Sequence, residues 1–371
     1  MRSDTIRLPA HAPGMEGHLH VLRFGEAGAR PLVYVQGALH ADEIPGMIAA
    51  HHLRERLLAL EAEGRIRGEI VLVPFANPLG LNQRVLGGMV GRFDLADGAN
   101  FNRLYPHLTE VVAERVGGLL SDDEAANRDL IRDALAQAAD EAEATTPAEH
   151  LKRALLRLAI TADVVLDLHC DSEAVMHLYT LTPQAEDFAP LAALLGCEAV
   201  LVATESGDEP FDEACSRPWF ELKERFPAKP IPLACLSTTV ELRGQADVSH
   251  ELAAADAGAL VDFLVIRGAI EGPAPQVPPV RCEPTPLAGS EPLVAPVSGM
   301  VVFRRAVGER LSAGDVVADI VCPATGETFP VATRSDGVLY ARSGTRFASA
   351  GKRLGKVAGT NLQRAGKLLS P

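Results

Sequence analysis

The segment "VQGALHADEIPG", Val35–Gly46, sets His40 and Glu43 three residues apart, directly after the apolar run "PLVYV". An imidazole and a carboxylate at that spacing, on a strand-to-helix turn, can converge on one cation. Zinc takes such ligands at about 2.0–2.2 Å, and a catalytic site uses three of them and leaves a position for water. By itself the pair is weak, because H-x-x-E arises often by chance and a polar turn uses the same residues. A third ligand is offered by "VVLDLHCD". His169 closes the most apolar strand in the chain, and Asp167 lies two residues earlier on the same face. A carboxylate there can orient the imidazole through its other nitrogen.

Two more segments carry candidate chemistry. "GANFNRLYP" places Asn102-Arg103 after an irregular stretch. A guanidinium offers a planar fork that suits a carboxylate, although a surface turn is the plainer reading. "STTVELRG" ends a strand at Glu241. A carboxylate beside zinc-bound water can act as general base, since the metal brings that water's pKa to about 7. Cys170 should face away from His169 and is read as a core thiol, not a nucleophile. His177 is assigned to the sheet in preference to the pocket. His51, His52, His107 and His150 fall on helices or exposed segments and are read as ordinary surface or core residues.

The elements that must hold these residues alternate. Residues 31–36, 69–78, 162–170, 174–181, 198–203 and 236–242 read as strands. Residues 45–61 and 246–268 read as helices, and Pro45 suits a first turn, where its missing N–H costs nothing. Such alternation predicts an α/β domain over residues 1–270, with a largely parallel or mixed sheet flanked by helices. Open sheets of this kind place their sites beyond the carboxyl ends of strands. Residues 107–150 are acidic and Ala-rich. They are expected to form a helical insertion, either a solvated surface helix or a lid or interface.

A Pro-rich linker is expected at 271–286, followed by a β domain over 287–371. There "SGMVVFRRAVGERLSAGDVVADIV" is echoed by "DGVLYARSGTRFASAGKRLGKVAG". Two tandem β units predict a small sandwich with a pseudo-twofold axis. It resembles the biotinyl/lipoyl half-repeat fold, but the connecting segment 322–335 has no lysine to modify. A carrier role is therefore rejected, and a structural or mouth-shaping role is expected.

Bulk properties exclude several classes. The 371 residues are 47% hydrophobic with a formal charge of −14, and no basic block stands out. That disfavours nucleic acid and anionic membrane as partners. Six irregularly spaced cysteines without a C-x-x-C pair suit a reduced, cytoplasmic protein. There is no apolar leader and no spanning-length apolar stretch. A small-molecule substrate is the expected partner, and a homo-oligomer is left open.

Taken together, His40-x-x-Glu43, Asn77-Pro78, Asn102-Arg103 before "LYP", "DLH" ending at His169, and "TVEL" around Glu241 resemble the succinylglutamate desuccinylase/aspartoacylase family of zinc carboxypeptidase-like hydrolases. The five motifs keep the family's order across roughly residues 30–270. The resemblance implies one zinc per chain on His40, Glu43 and His169, with Glu241 as general base. It implies that Arg103, with Asn102, holds a substrate carboxylate. A further arginine is expected to polarise the carbonyl or bind substrate, with Arg92 the first choice and Arg84 the second. The expected activity is deacylation of a small N-acyl amino acid at an amide rather than a peptide bond. The alternatives are a carboxypeptidase acting on peptides and a non-catalytic binding module.

Three positions depart from the family pattern. Ala41 stands where Gly usually follows the first ligand. Asn100 stands where Asp usually orients a metal-bound imidazole, so Asn100, or Asp97 in its stead, is expected behind the metal site. Arg243 follows "TVEL" where Gly is common. It is expected either at the cleft mouth, favouring an acidic substrate, or on the surface.

Overall fold

The computed structural model describes residues 1–9, 12–361 and 364–369. The apolar runs meet in one large mixed sheet. Its strands are β1 (Arg2–Leu8), β2 (Gly17–Phe24), β3 (Leu32–Gly37), β4 (Glu69–Val73), β5 (Val164–Asp171), β6 (His177–Leu181), β7 (Ala199–Ala203), β8 (Leu236–Gly244) and β9 (Pro284–Pro286). They lie in the order β1-β2-β4-β3-β5-β8-β6-β7-β9. The four central strands β4, β3, β5 and β8 run parallel. β1 and β2 form an antiparallel edge hairpin absent from the sequence reading. β9 comes from the Pro-rich segment and pairs with β7 at the other edge. Proline has no N–H to give, so the edge is where it is tolerated.

Helices cover both faces, which is why the central strands are apolar throughout. On one face, α1 (Pro45–Ala62), α5 (Ala185–Leu195) and α7 (His250–Ile266) pack around Leu53, Leu168, Phe188 and Phe263. On the other, α2 (Thr109–Val116), α3 (Glu124–Glu141), α4 (Pro147–Ala159) and α6 (Phe211–Arg225) enclose Tyr34, Ile131, Leu151 and Trp219. The sequence reading did not contain α5 and α6. Each holds an internal proline, Pro190 or Pro218, which weakens the helical signal.

Residues 107–150 are helical, as expected, but they are not a solvated excursion. In α3, Ile131, Ala134, Leu135, Ala138 and Ala139 are buried at helical spacing. This segment forms a layer of the core, and only its outer face is acidic. No residue of 107–150 borders the cleft described below, so it is not a lid.

The C-terminal repeat folds as two packed antiparallel sheets. Its strands are β10 (Glu291–Val294), β11 (Gly299–Phe303), β12 (Arg310–Leu311), β13 (Val316–Val321), β14 (Thr328–Ala332), β15 (Gly337–Arg342), β16 (Phe347–Ala348) and β17 (Arg353–Gly359). The orders are β10-β17-β15-β12 and β14-β13-β11-β16. Each copy of the repeat supplies the two central strands of one sheet. Val301, Ile320, Leu339 and Val357 fill the space between them. β15 also pairs with residues Glu173–Ala174, just past β5, which seats the sandwich beside the large sheet. Among the described residues no helix is long and apolar enough to cross a membrane.

Candidate metal and substrate site

Parallel neighbours end at the same edge of a sheet, and here β3, β5 and β8 do so together. The turn after β3 carries His40 and Glu43. It is held tightly: a Cβ on Gly37 would lie 2.7 Å from Gly46 O, and one on Gly46 would lie 2.6 Å from Leu168 O. β5 carries His169, and β8 sets Glu241 in register beside it. Among the described residues, His40, Glu43 and His169 are the one group able to hold a metal ion, with ligand atoms within 4.8 Å of one another.

Glu43 bridges the two imidazoles. Its Oε1 is 2.9 Å from His40 Nδ1 and its Oε2 is 2.7 Å from His169 Nδ1. The opposite ring nitrogens are also engaged. His40 Nε2 donates to Asn100 Oδ1 and His169 Nε2 donates to Asp167 Oδ2, each at 2.9 Å. These acceptors fix a proton on each Nε2 and aim each Nδ1 inward. Three convergent donors with their outer nitrogens already oriented fit a divalent cation well. Asp97 has no part in this, since its carboxylate accepts from Ala99 N in an exposed turn.

Behind Asp167 lies a chain that the sequence reading missed. Gln36 Nε2 donates to Asp167 Oδ1 at 2.9 Å, and Tyr34 OH donates to Gln36 Oε1 at 2.8 Å. The signal was present: Tyr34 and Gln36 alternate on one face of an otherwise aliphatic strand.

Charge here is set by burial and by close partners. Burial lowers His40 to about 4. For His169 burial opposes the charge, but Asp167 and Glu43 outweigh it and hold the imidazole well above its ordinary value. Glu43 is likewise opposed by burial yet held well below the usual range by His40 and His169. Burial, then the Glu43 charge, push Glu241 up to about 8. A cation beside Glu43 would counter that second cause. Glu241 Oε2 is buried without a hydrogen-bond partner.

A cleft of roughly 740 Å³ opens on this group, with Arg92, Asn102, Arg103 and Glu241 on its wall. Arg92 Nη1 is 3.1 Å from His40 Nδ1 and 3.4 Å from Glu43 Oε1. Arg103 is buried and its Nη1 donates to Asn102 O at 2.6 Å. Asn102 is more structural than expected: its Oδ1 accepts from Phe211 N at 2.9 Å, tying α6 to the site. Arg84 does not reach the cleft. It sits on an exposed hairpin and donates to Leu81 O, while Gln83 is the residue that turns inward, bridging Val90 O and Phe93 O.

Ala41 is accommodated because Gly80 and Gly91 leave room for its methyl group. Arg243 is neither at the mouth nor free on the surface, because it forms a two-point pair with Asp256 on α7. Cys170 does border the cleft, but burial, with Glu43 and Glu241 adding, pushes its thiol far up, so it is no nucleophile. His177 lies outside the cleft in the sheet, donating to Val175 O between the Tyr179 and Tyr340 rings. The C-terminal sandwich shapes the cleft: Arg342, Ser343 and Lys356 stand on its far wall. Lys356 pairs with Asp171.

The chain resembles known proteins in sequence family and in fold. The catalytic-domain profile of the succinylglutamate desuccinylase/aspartoacylase family matches residues 29–266. A family protein from Shewanella amazonensis SB2B superposes with a TM-score of 0.83 at 27% identity, over 96% of this chain and 98% of its own. One from Shewanella frigidimarina NCIMB 400 gives 0.84 at 25% identity, over 97% of each chain. A succinylglutamate desuccinylase/aspartoacylase from Rhodobacter sphaeroides shares the fold at 18% identity, with a TM-score of 0.66 over 96% and 94% of the two chains. No curated protein matches the chain.

Proposed function

The chain belongs to the succinylglutamate desuccinylase/aspartoacylase family, and from that premise we propose that it is a zinc-dependent hydrolase removing the acyl group from a small N-acyl amino acid. The observation that carries the reading is the convergence of His40, Glu43 and His169 with Glu241 in register beside them. Bound zinc supplies Lewis acidity and a water acidic enough to be deprotonated near pH 7.

This chain's own residues do the rest. Glu241 takes the proton of the attacking water and returns it to the leaving amine. Its unpartnered Oε2 is the atom available for that transfer. Arg103 holds the substrate carboxylate, with Asn102 fixing the wall from which it projects. Arg92, beside the metal group, stabilises charge developing on the carbonyl oxygen. Asp167 and Asn100 keep the two imidazoles in orientation. The sandwich narrows the cleft, which favours a small amide over a long peptide.

The test is metal content of the purified protein beside amine release from a panel of N-acyl amino acids, before and after chelation. One zinc per chain and chelator-sensitive release are expected. Glu241→Gln should keep the metal and lose about a hundred- to ten-thousand-fold in turnover. Unchanged turnover in that variant would sink the mechanism.

A further inference from the structure

The cleft is longer than the reaction just described requires. Its roughly 740 Å³ falls within the range of about 300–1,000 Å³ that holds a drug-sized ligand, more than an N-acetyl amino acid fills. Across its floor β5, β8, β6 and β7 lie side by side, and Asp167, Thr239, Tyr179 and Leu201 stand in one row. Members of a row share a face of the sheet, and Thr239, Tyr179 and Leu201 border the cleft. Neighbouring strands are about 4.8 Å apart, which puts Tyr179 about 10 Å and Leu201 about 14 Å from the strand that carries His169. This far end is apolar. Tyr179, Leu201, Ala203, Leu287 and Leu369 belong to one apolar cluster, and all of them border the cleft. The Tyr179 hydroxyl is taken up by Tyr340, which leaves its ring as the surface. Residues 364–369 cross from the sandwich and close this end. Arg364 N donates to Ala288 O at 2.9 Å and Leu368 N donates to Ser206 O at 2.8 Å, with the Leu368 side chain buried in the cluster.

We propose that this end is a subsite for an aliphatic acyl chain, so that the favoured substrates are N-acyl amino acids with chains of about eight to twelve carbons. Leu369 and Ala203 set the limit. The inference rests on the deacylase reading and narrows its substrate class. Three backbone bonds span at most about 3.6 Å, so an extended chain advances about 1.2 Å per bond. About eight carbons then reach Tyr179 and about twelve reach Leu201. The amino-acid half of the substrate is already placed, since Arg103 holds its carboxylate, and the acyl half takes the wall that remains. The charged groups along the way have partners. Lys356 pairs with Asp171, Arg342 with Glu173, and Glu213 with Ser206 N and Arg217. Arg353 is engaged as well, and Lys352 is exposed at the rim. Those last two cations would select a chain that ends in a carboxylate, which is therefore the rival in the test.

The test measures binding of straight-chain carboxylates, from acetate to tetradecanoate, by calorimetry on the zinc-loaded full chain. These are the acyl products, and hydrolysis of the matching N-acyl glycines is followed in parallel. Affinity should rise about four-fold per added methylene, the effect of burying one CH₂, and level off between about eight and twelve carbons. The kcat/KM of the N-acyl glycines should follow the same course. Leu369→Ala should move the levelling point to longer chains and Ala203→Leu to shorter ones, each by about two carbons. Either variant carries the test if the other does not fold. Affinity independent of chain length, tighter binding of suberate than of octanoate, or a levelling point unmoved by both variants would overturn the inference. Hydrolysis of every N-acyl glycine at one rate, with binding independent of chain length, would leave the deacylase reading standing alone. Chain-dependent binding without any hydrolysis would keep the apolar subsite and remove the deacylase reading.

Discussion

Replacing Asp167 by Asn isolates what one charge contributes to the candidate metal centre. The carboxylate is fully buried and each oxygen has one donor at 2.9 Å, Gln36 Nε2 on Oδ1 and His169 Nε2 on Oδ2. An asparagine has one acceptor and one donor to put in their place. Gln36 can turn its amide over and accept from the new Nδ2. Tyr34 OH, which now donates to Gln36, can then accept from it. The network therefore closes again and the fold should survive. What is lost is the charge behind the His169 ring. Removing such a partner costs ten- to a hundred-fold in metal affinity, which is about 1.4–2.8 kcal/mol. The pair is buried, so added salt should change this little. The pH has a definite effect. Asp167 is one of the two carboxylates that hold His169 above its ordinary value against burial. In the wild type a metal must displace that proton, and in the variant the proton is held less well. The loss should therefore be largest at alkaline pH and shrink as pH falls. Zinc affinity from competition with a chromophoric chelator, read across pH, is the assay. An affinity within two-fold of wild type at every pH would refute the assignment of His169 as a ligand oriented by Asp167.

Asn100→Asp should act in the opposite direction, raising zinc affinity about ten-fold by the same assay. The Asn100 Nδ2 is buried without a partner, so nothing is lost with it, and the oxygen that serves His40 is kept. A lower affinity would contradict the geometry. Metal loading should also release about one proton per zinc near neutral pH, seen as calorimetric heats that vary with buffer ionisation enthalpy. The sign follows from His169. In the metal-free chain its raised pKa contributes stability that is present below the ordinary value of 6.5 and is lost as pH rises through the folded value. Metal binding gains with pH over the same window. Proton uptake on loading would exclude His169 as the group displaced.

How much of this was legible in the sequence depends on how local its cause is. Strand ends and side-chain alternation are local, so His40, Glu43, His169, Asp167 and Glu241 could be placed from the chain alone. Asn100 could be assigned to an imidazole only through the family resemblance, which expects an orienting residue two positions before Asn102-Arg103. The choice between Arg92 and Arg84 was not local: a hairpin turns Arg84 outward, and only packing of residues 91–92 on the His40 turn brings Arg92 in. Residues 107–150 looked like a solvated insertion because they are acidic and Ala-rich, while the buried stripe of α3 gains meaning only once a sheet lies beneath it. Arg243 is read correctly only when α7 supplies Asp256. Along the acidic stretch 205–213, tertiary structure alone decides that Asp212 and Glu213 are buried beside the cleft while Glu205 stays exposed. Sequence determined which side chains stand at the carboxyl ends of β3, β5 and β8, because backbone alternation fixes that within each strand. Tertiary structure alone decided which distant residues face them, because those pairings depend on packing between elements that no local pattern encodes.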